Sequence, residues 1–135
     1  MQLKLSTDYA IRIVLYLAEK QQTANSEEIS ARMGIPQSVV ATLATPLQRA
    51  GILTTVRGVG GGFTLCRRPE DISLHEIINL IEGTTRINRC LEADSFCSRN
   101  ATDTCKVHRY YLKVQAGLDR AFQEMTIAKL LNDEA

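Results

Sequence analysis

Apolar residues recur every three to four positions at the start of the chain, which is the spacing of an amphipathic helix. Residues 9–18 predict a largely buried first helix, which Ser6 or Thr7 can cap. A polar linker follows, and Ser26 then predicts the cap of a short second helix that ends at Gly34.

A third helix is predicted over residues 37–50, with Val40, Leu43 and Leu47 at core spacing. Pro46 lies inside this helix, where its ring removes one backbone hydrogen bond and clashes with the preceding turn. We therefore expect a kink or an early end of the helix at Pro46.

Two short strands are predicted at residues 52–56 and 63–66, on either side of Arg57-Gly58-Val59-Gly60-Gly61-Gly62. Four glycines in six residues favour a hairpin tip whose backbone passes close to another molecule. A short helix, a glycine turn, a second helix and a hairpin follow one another in the order of a winged helix–turn–helix.

A fourth helix starts at the capping-box sequence Ser73-Leu74-His75-Glu76 and ends at Gly83. Residues 84–104 are polar and irregular, and helical spacing resumes after Cys105. The apolar positions of this last helix form a stripe about five turns long: Tyr111, Val114, Leu118, Phe122 and Met125. A small neighbouring domain cannot cover an apolar stripe of this length, so we expect the last helix to pack against the same helix of a second chain. The alternative is that this helix folds back onto its own domain.

These elements predict a mainly α protein with a small β-hairpin wing. We expect a winged helix–turn–helix DNA-binding domain at residues 1–83, a cysteine-containing loop at residues 84–105, and a dimerisation helix with its tail at residues 106–135.

Charge is distributed unevenly over a chain whose formal net charge is only +1. Residues 1–68 hold eight Lys and Arg against four Asp and Glu, whereas residues 69–135 hold eight against eleven. A basic first half suits a polyanionic partner. No segment is apolar enough to span a membrane and no signal peptide is recognisable, so we expect a cytoplasmic protein.

The start of the third helix enters the DNA major groove in a winged helix–turn–helix. This predicts Gln37, Ser38 and Thr42 as base-reading residues. At the wing, we expect the following residues to approach the DNA backbone: Arg57, Gly58, Gly60 and Gly61. A nucleotide-phosphate loop is the weaker interpretation of the glycines, because a strand rather than a helix follows them. For the helices, the alternative to a DNA-binding helix–turn–helix is a helical protein-interaction module.

Three cysteines lie between the fourth helix and the last one, at Cys90, Cys97 and Cys105. His108 follows Cys105 by three positions, which places both on one side of a helix. Three thiolates with one further ligand can hold zinc or an iron–sulfur cluster. From spacing alone these two are equally favoured, with thiol–disulfide sensing and a zinc-binding interaction module as alternatives. No nucleophile–base pair indicates an enzyme.

Several segments of the chain together carry a family resemblance: Ile35-Pro36 through Leu47, Ala50-Gly51-Ile52, Val56-Arg57-Gly58, Gly61-Gly62-Phe63, Met1-Gln2-Leu3 with Thr7-Asp8-Tyr9-Ala10 and Arg12, and Met125 through Leu131. They resemble the Rrf2 family of bacterial winged-helix transcriptional regulators, particularly its iron–sulfur members of the NsrR, IscR and RirA type. The resemblance implies a homodimer that binds inverted-repeat operators in double-stranded DNA, usually as a repressor.

The same resemblance implies that Cys90, Cys97 and Cys105 ligate a cluster that senses nitric oxide, iron or redox status. Two residues are candidates for the fourth ligand. His108 matches members with a two-iron cluster, and Asp8 matches members in which this residue ligates the partner's four-iron cluster. A cluster-free regulator sensing thiols or a metabolite is the alternative. Ala41 and Thr42 replace a Glu-Gln pair of some members, so their operator sequence does not transfer.

Overall fold

The structure is a computed structural model that describes residues 2–134; residues 1 and 135, the outer ends of the predicted segments, lie outside this range. The helices are α1 (Leu5–Lys20), α2 (Ser26–Met33), α3 (Gln37–Arg49), α4 (Leu74–Glu82), α5 (Lys106–Glu124) and α6 (Ile127–Leu131). The strands are β1 (Leu53–Val56) and β2 (Gly62–Leu65), and short 3-10 helices occur at Pro69–Asp71 and Arg89–Leu91.

The core is built around α1, whose inward side chains Ala10, Ile13 and Val14 have no exposed surface. Helices α2, α3, α4 and α6 all pack against α1. The short helix α6 returns to this core, because Ile127 is fully buried and its N–H donates to the Ile72 carbonyl over 2.9 Å. The end of the predicted segment 106–135 therefore packs within the body formed by residues 1–83.

Two predicted helix caps are wrong. Helix α1 begins at Leu5, so Ser6 and Thr7 lie inside it, and Thr7 instead donates to the Glu82 carboxylate over 2.5 Å. Asn25, rather than Ser26, caps α2, since its side-chain oxygen accepts the Glu28 N–H over 2.8 Å. The predicted ends at Gly34 and Gly83 are confirmed, and both glycines adopt left-handed backbone angles.

Helix α3 runs through Pro46 to Arg49, so the early end predicted from Pro46 is wrong. Proline deprives only the carbonyl four residues earlier of its helical donor, and that carbonyl belongs to the exposed Thr42. The last turn is still closed, since the Ala50 N–H donates to the Pro46 carbonyl over 3.0 Å.

Strands β1 and β2 form an antiparallel hairpin, called the wing here, in which Leu53 pairs with Leu65 and Val56 with Gly62. Ala24 adds a bridge on the outer side of β2: its N–H donates to the Phe63 carbonyl over 3.0 Å, and the Phe63 N–H donates back over 2.8 Å. This bridge attaches the wing to the linker between α1 and α2.

Helix α5 has 19 residues, and its apolar stripe is covered in one part and exposed in another. Leu118 and Phe122 line a cleft of about 370 Å³ together with Ile78 of α4, so part of the predicted stripe faces its own chain. Val107, Tyr110 and Val114 are between 41% and 64% exposed. Among the described helices, none combines the length and apolarity that crossing a membrane requires.

Candidate DNA-binding face and cysteine site

The predicted base-reading residues lie together on the exposed side of α3. Gln37, Ser38 and Thr42 are all exposed, as is Ala41 beside them. Pro36 precedes the helix with extended backbone angles, so the chain turns directly into the first helical turn. Residues 38 and 42 are separated by four positions and therefore stand one above the other on this face.

Two of these polar side chains are already bonded within the protein. The Gln37 amide donates to the Ser26 hydroxyl over 3.2 Å, which connects the starts of α2 and α3. The Thr42 hydroxyl donates to the Ser38 carbonyl over 2.9 Å, along the helix itself.

The wing lies beside α3, and Gln48 near the end of the helix donates to the Thr55 hydroxyl in β1. Arg57, Gly58 and Gly60 are exposed at the hairpin tip, whereas Gly61 is partly buried. A Cβ atom at Gly61 would approach the Val56 carbonyl oxygen to 2.3 Å, so only glycine fits this turn. The structure thus brings the helical and the wing residues into one continuous unit.

The three loop cysteines and His108 line one cavity of about 280 Å³, which we call the cysteine cavity. Cys90 lies in the short 3-10 helix, Cys97 in the irregular stretch after it, and Cys105 caps the N-terminus of α5. Phe96 and Tyr111 also line this cavity. The structure thus places these three cysteines and His108 around the same cavity.

Cys90, Cys105 and His108 are linked by short contacts. His108 Nδ1 lies 3.3 Å from Cys90 Sγ, and the His108 N–H donates to Cys105 Sγ over 3.4 Å. Within residues 2–134, no three His, Cys, Asp or Glu side chains converge closely enough to define a finished metal centre. The donor set of three thiols and one imidazole nevertheless suits zinc or an iron–sulfur cluster.

Cys97 has a lowered pKa, chiefly because the backbone N–H of Ala101 and then that of Arg99 stabilise its thiolate. A thiolate is both the reactive form and the metal-binding form of cysteine. Cys66, the fourth cysteine of the chain, is exposed and lies just beyond the last paired residue of β2, Leu65.

Asp8 lies apart from the cysteine cavity of its own chain. Its carboxylate pairs with Arg12, one helical turn later, over 2.6 Å. Arg12 in turn donates to the Met33 carbonyl at the end of α2 over 3.1 Å. Among the described residues that line the cavity, Asp8 is absent.

Gln115 is the functional candidate that the sequence analysis missed. Its side chain is 3% exposed, and its oxygen accepts the Ile87 N–H over 2.8 Å. Its amide donates to the Thr85 carbonyl over 3.0 Å and to the Asp119 carboxylate over 2.7 Å. A glutamine in register with Tyr111 and Leu118 on the inward face of α5 is the signal that could have revealed this anchor.

A second contact shapes the middle of the loop, where Arg89 pairs with Asp94 through two hydrogen bonds. The guanidinium lowers the pKa of Asp94 to about 2. The same guanidinium lies 5.3 Å from the centre of the Phe96 ring. Arg89 therefore connects the Cys90 end of the cavity to the Cys97 end.

Comparisons with known proteins agree with this architecture. A model of the Rrf2 family, described as an iron-dependent transcriptional regulator, matches residues 3–133. The HTH-type transcriptional regulator NsrR of Geobacillus kaustophilus is 27% identical over 138 residues, which cover 100% of this chain and 92% of the relative.

Two solved structures share the fold. CymR, the global cysteine regulator of B. subtilis, superposes with a TM-score of 0.80 at 18% identity, covering 96% of this chain and 95% of that chain. IscR of T. potens superposes with a TM-score of 0.77 at 23% identity, covering 100% of this chain and 89% of that chain. The winged-helix prediction is confirmed, and the relatives are transcriptional regulators rather than enzymes. The chain belongs to the Rrf2 family of DNA-binding transcriptional regulators.

Proposed function

We propose that this protein is a homodimeric repressor whose operator binding is controlled by an iron–sulfur cluster bound to Cys90, Cys97 and Cys105. The observation that carries the proposal is the single cavity lined by these three thiols and His108. The description of the family as iron-dependent supports iron rather than zinc. The protein acts in the cytoplasm, and its signal is nitric oxide, iron or redox status.

The DNA partner is an inverted repeat in double-stranded DNA. Gln37, Ser38 and Thr42 project from the exposed face of α3 toward base edges. Arg57 contacts phosphate at the wing, where Gly58, Gly60 and Gly61 let the backbone approach the DNA. A two-fold dimer presents two such helices, and its operator therefore has matching two-fold symmetry.

The dimer forms through the exposed apolar face of α5. Val107, Tyr110 and Val114 recur at three- and four-residue spacing, as in a helix that packs on a symmetric partner. The proposed roles follow the order of the chain: DNA binding in residues 1–83, sensing in residues 84–105, and assembly through α5 of the segment 106–135, whose end packs on the body.

The cysteine loop, residues 84–105, is attached to α5 at both ends. Gln115 and Asp119 hold its beginning through Thr85, Arg86 and Ile87, and Cys105 caps the first turn of α5 at its end. When bound, the cluster supplies a cross-link between three distant loop positions and a centre that reacts with the signal. A change in loop order is transmitted by these contacts to α5, and so to the spacing of the two recognition helices.

Two residues compete for the fourth ligand position. His108 is favoured within one protomer, because its ring already contacts Cys90. Asp8 would have to reach the cavity of a second protomer and leave Arg12.

Anaerobic spectroscopy tests the proposal and separates these ligands. We expect wild-type protein to be coloured, with visible charge-transfer absorption that is absent from the Cys90→Ser, Cys97→Ser, Cys105→Ser triple variant. His108→Ala shifts this spectrum and Asp8→Ala leaves it unchanged if the ligand comes from the same protomer. Colourless anaerobic protein, after reconstitution with iron and sulfide, contradicts the proposal.

A cluster-free thiol sensor is the second candidate function, and the lowered pKa of Cys97 favours it. In that case Cys97 alkylates faster than exposed Cys66, and oxidation alone changes operator binding. The two functions are separated by whether the reduced protein binds iron.

A further inference from the structure

We propose that Ala41 and Thr42 read thymine methyl groups in the operator, so that this regulator prefers A·T pairs beneath the start of α3. This inference rests on the proposed DNA-binding role of the α3 face. It names the DNA group that Ala41 and Thr42 contact. Relatives that carry a Glu-Gln pair at these two positions cannot supply this information.

The first half of α3 lacks the side chains that read guanine. From Gln37 to Gln48 the sequence holds no charged residue, and Arg49 comes only at the end of the helix. Arginine or lysine paired with guanine O6 and N7 is the commonest specific contact in the major groove. The exposed face of α3 therefore has no group for that contact in its first three turns.

Hydrogen bonding within the helix determines what Thr42 can offer. Its hydroxyl proton is donated to the Ser38 carbonyl over 2.9 Å. The hydroxyl therefore has no proton left for an acceptor such as guanine N7. The γ-methyl group of this exposed residue is available for contact. Ala41, exposed next to it, presents only a methyl group.

Adjacent methyl groups on a major-groove helix match one feature of DNA, the C5-methyl of thymine, which side-chain methyls contact in the major groove. Gln37 is consistent with this preference, because glutamine pairs with the N6 and N7 edge of adenine. The hydrogen bond from its side-chain amide to the Ser26 hydroxyl holds Gln37 at the start of the same face.

Uracil substitution tests the inference, since deoxyuridine differs from thymidine only by the missing methyl. The full-length dimer is first used to select its preferred duplex from a random library, in the cluster-bound and the cluster-free form. Each thymine of that duplex is then replaced by uracil in turn. We expect one or two positions per half-site at which the affinity falls about fourfold, as burial of one methyl group predicts.

Matched variants connect the effect to its residues. Thr42→Ser keeps the hydroxyl and loses the methyl, so one uracil-sensitive position becomes insensitive. Thr42→Val keeps a methyl and loses the hydroxyl, so that sensitivity remains. Ala41→Gly removes the sensitivity at a neighbouring position.

The failures are distinguishable. A protein that selects no duplex in either form contradicts the proposed function itself. Selective binding that is insensitive to uracil at every position overturns the thymine inference alone. Loss of the sensitivity in Thr42→Val also overturns it, because the hydroxyl would then be the reading group.

Discussion

One buried polar side chain holds the cysteine loop against α5. This side chain is Gln115, which is nearly inaccessible and bonds to Ile87, Thr85 and Asp119 at once. A buried polar group keeps its place only while its partners are satisfied. The geometry of the loop therefore depends on one glutamine in a different element.

Replacing Gln115 with Met removes these bonds at nearly constant volume. We expect the free energy of unfolding to fall by about 1–3 kcal/mol, because the Ile87 N–H and the Thr85 carbonyl lose their partner. Urea denaturation of the reduced, cluster-free protein measures this. Gln123→Met, at an exposed position of the same helix, is the control and should change stability by less than about 0.5 kcal/mol. Equal effects of the two variants would contradict the anchoring role.

The carboxyl group of Glu82 makes the stability of the fold depend on pH. The Thr7 hydroxyl, and then the Lys4 N–H, lower its pKa below the usual value of 4.5. A carboxyl group with a lowered folded pKa stabilises the fold above its unfolded pKa, and this stabilisation is lost as the pH falls. We expect Thr7→Val to make stability less dependent on pH below about 4.5. Denaturation curves from pH 6 to pH 3 test this, with exposed Thr54→Val as an unaffected control.

At the scale of elements, the attachment of the wing to the linker between α1 and α2 depends on a close approach at Gly62. A Cβ atom at Gly62 would come within 2.4 Å of the Ala24 carbonyl oxygen, directly at the bridge that attaches β2 to the linker. Gly60, by contrast, adopts φ +76° and its Cβ position faces open space among the described residues. Gly62 also has a positive φ of +153°, so a side chain there meets both steric contact and backbone strain, whereas one at Gly60 meets backbone strain alone.

We expect Gly62→Ala to break the Ala24–Phe63 bridge, so that both amide protons exchange faster. Gly60→Ala should leave that exchange unchanged and cost about 1–2 kcal/mol through its left-handed backbone. Hydrogen exchange followed residue by residue checks both. Preserved protection of Phe63 in Gly62→Ala would show that the close approach is not required.

Local patterns predicted the elements, because helical spacing and glycine positions are properties of the sequence itself. The Ser73–Glu76 capping box and the glycine-rich tip needed no knowledge of distant contacts. The predicted cap of α1 failed for a tertiary reason, since Thr7 bonds to Glu82, 75 positions away. The predicted cap of α2 was wrong by one residue for a local reason, since Asn25 accepts the Glu28 N–H. The Gln115 contacts span about 30 positions and were invisible to any local pattern.

The whole molecule is organised by α5, which links the loop, the body and the proposed dimer partner. The sequence predicted an apolar stripe on α5, but not which of its side chains pack on the same chain and which stay exposed. Leu118 and Phe122 face α4 of the same chain, while Val107, Tyr110 and Val114 remain exposed. Which part of the stripe is covered depends on where α4 lies, and the periodicity of α5 does not contain that information.

Val114→Glu places a charge in the centre of the exposed apolar face. We expect the dimer dissociation constant to rise about a hundredfold or more, because two carboxylates would be buried without partners. Light scattering at several concentrations measures the mass. Ala116→Glu, exposed on another side of α5, should leave the dimer intact. A dimeric Val114→Glu protein would place the interface elsewhere.

The central claim is that cluster ligation by the three loop cysteines controls operator binding. Its most direct test is the operator affinity of anaerobic cluster-bound protein, compared with cluster-free protein and with the triple Cys→Ser variant at one salt concentration. A coupling of about 1–3 kcal/mol predicts affinities that differ about 5- to 150-fold between the cluster-bound form and the other two. Identical affinity in all three forms would contradict the account.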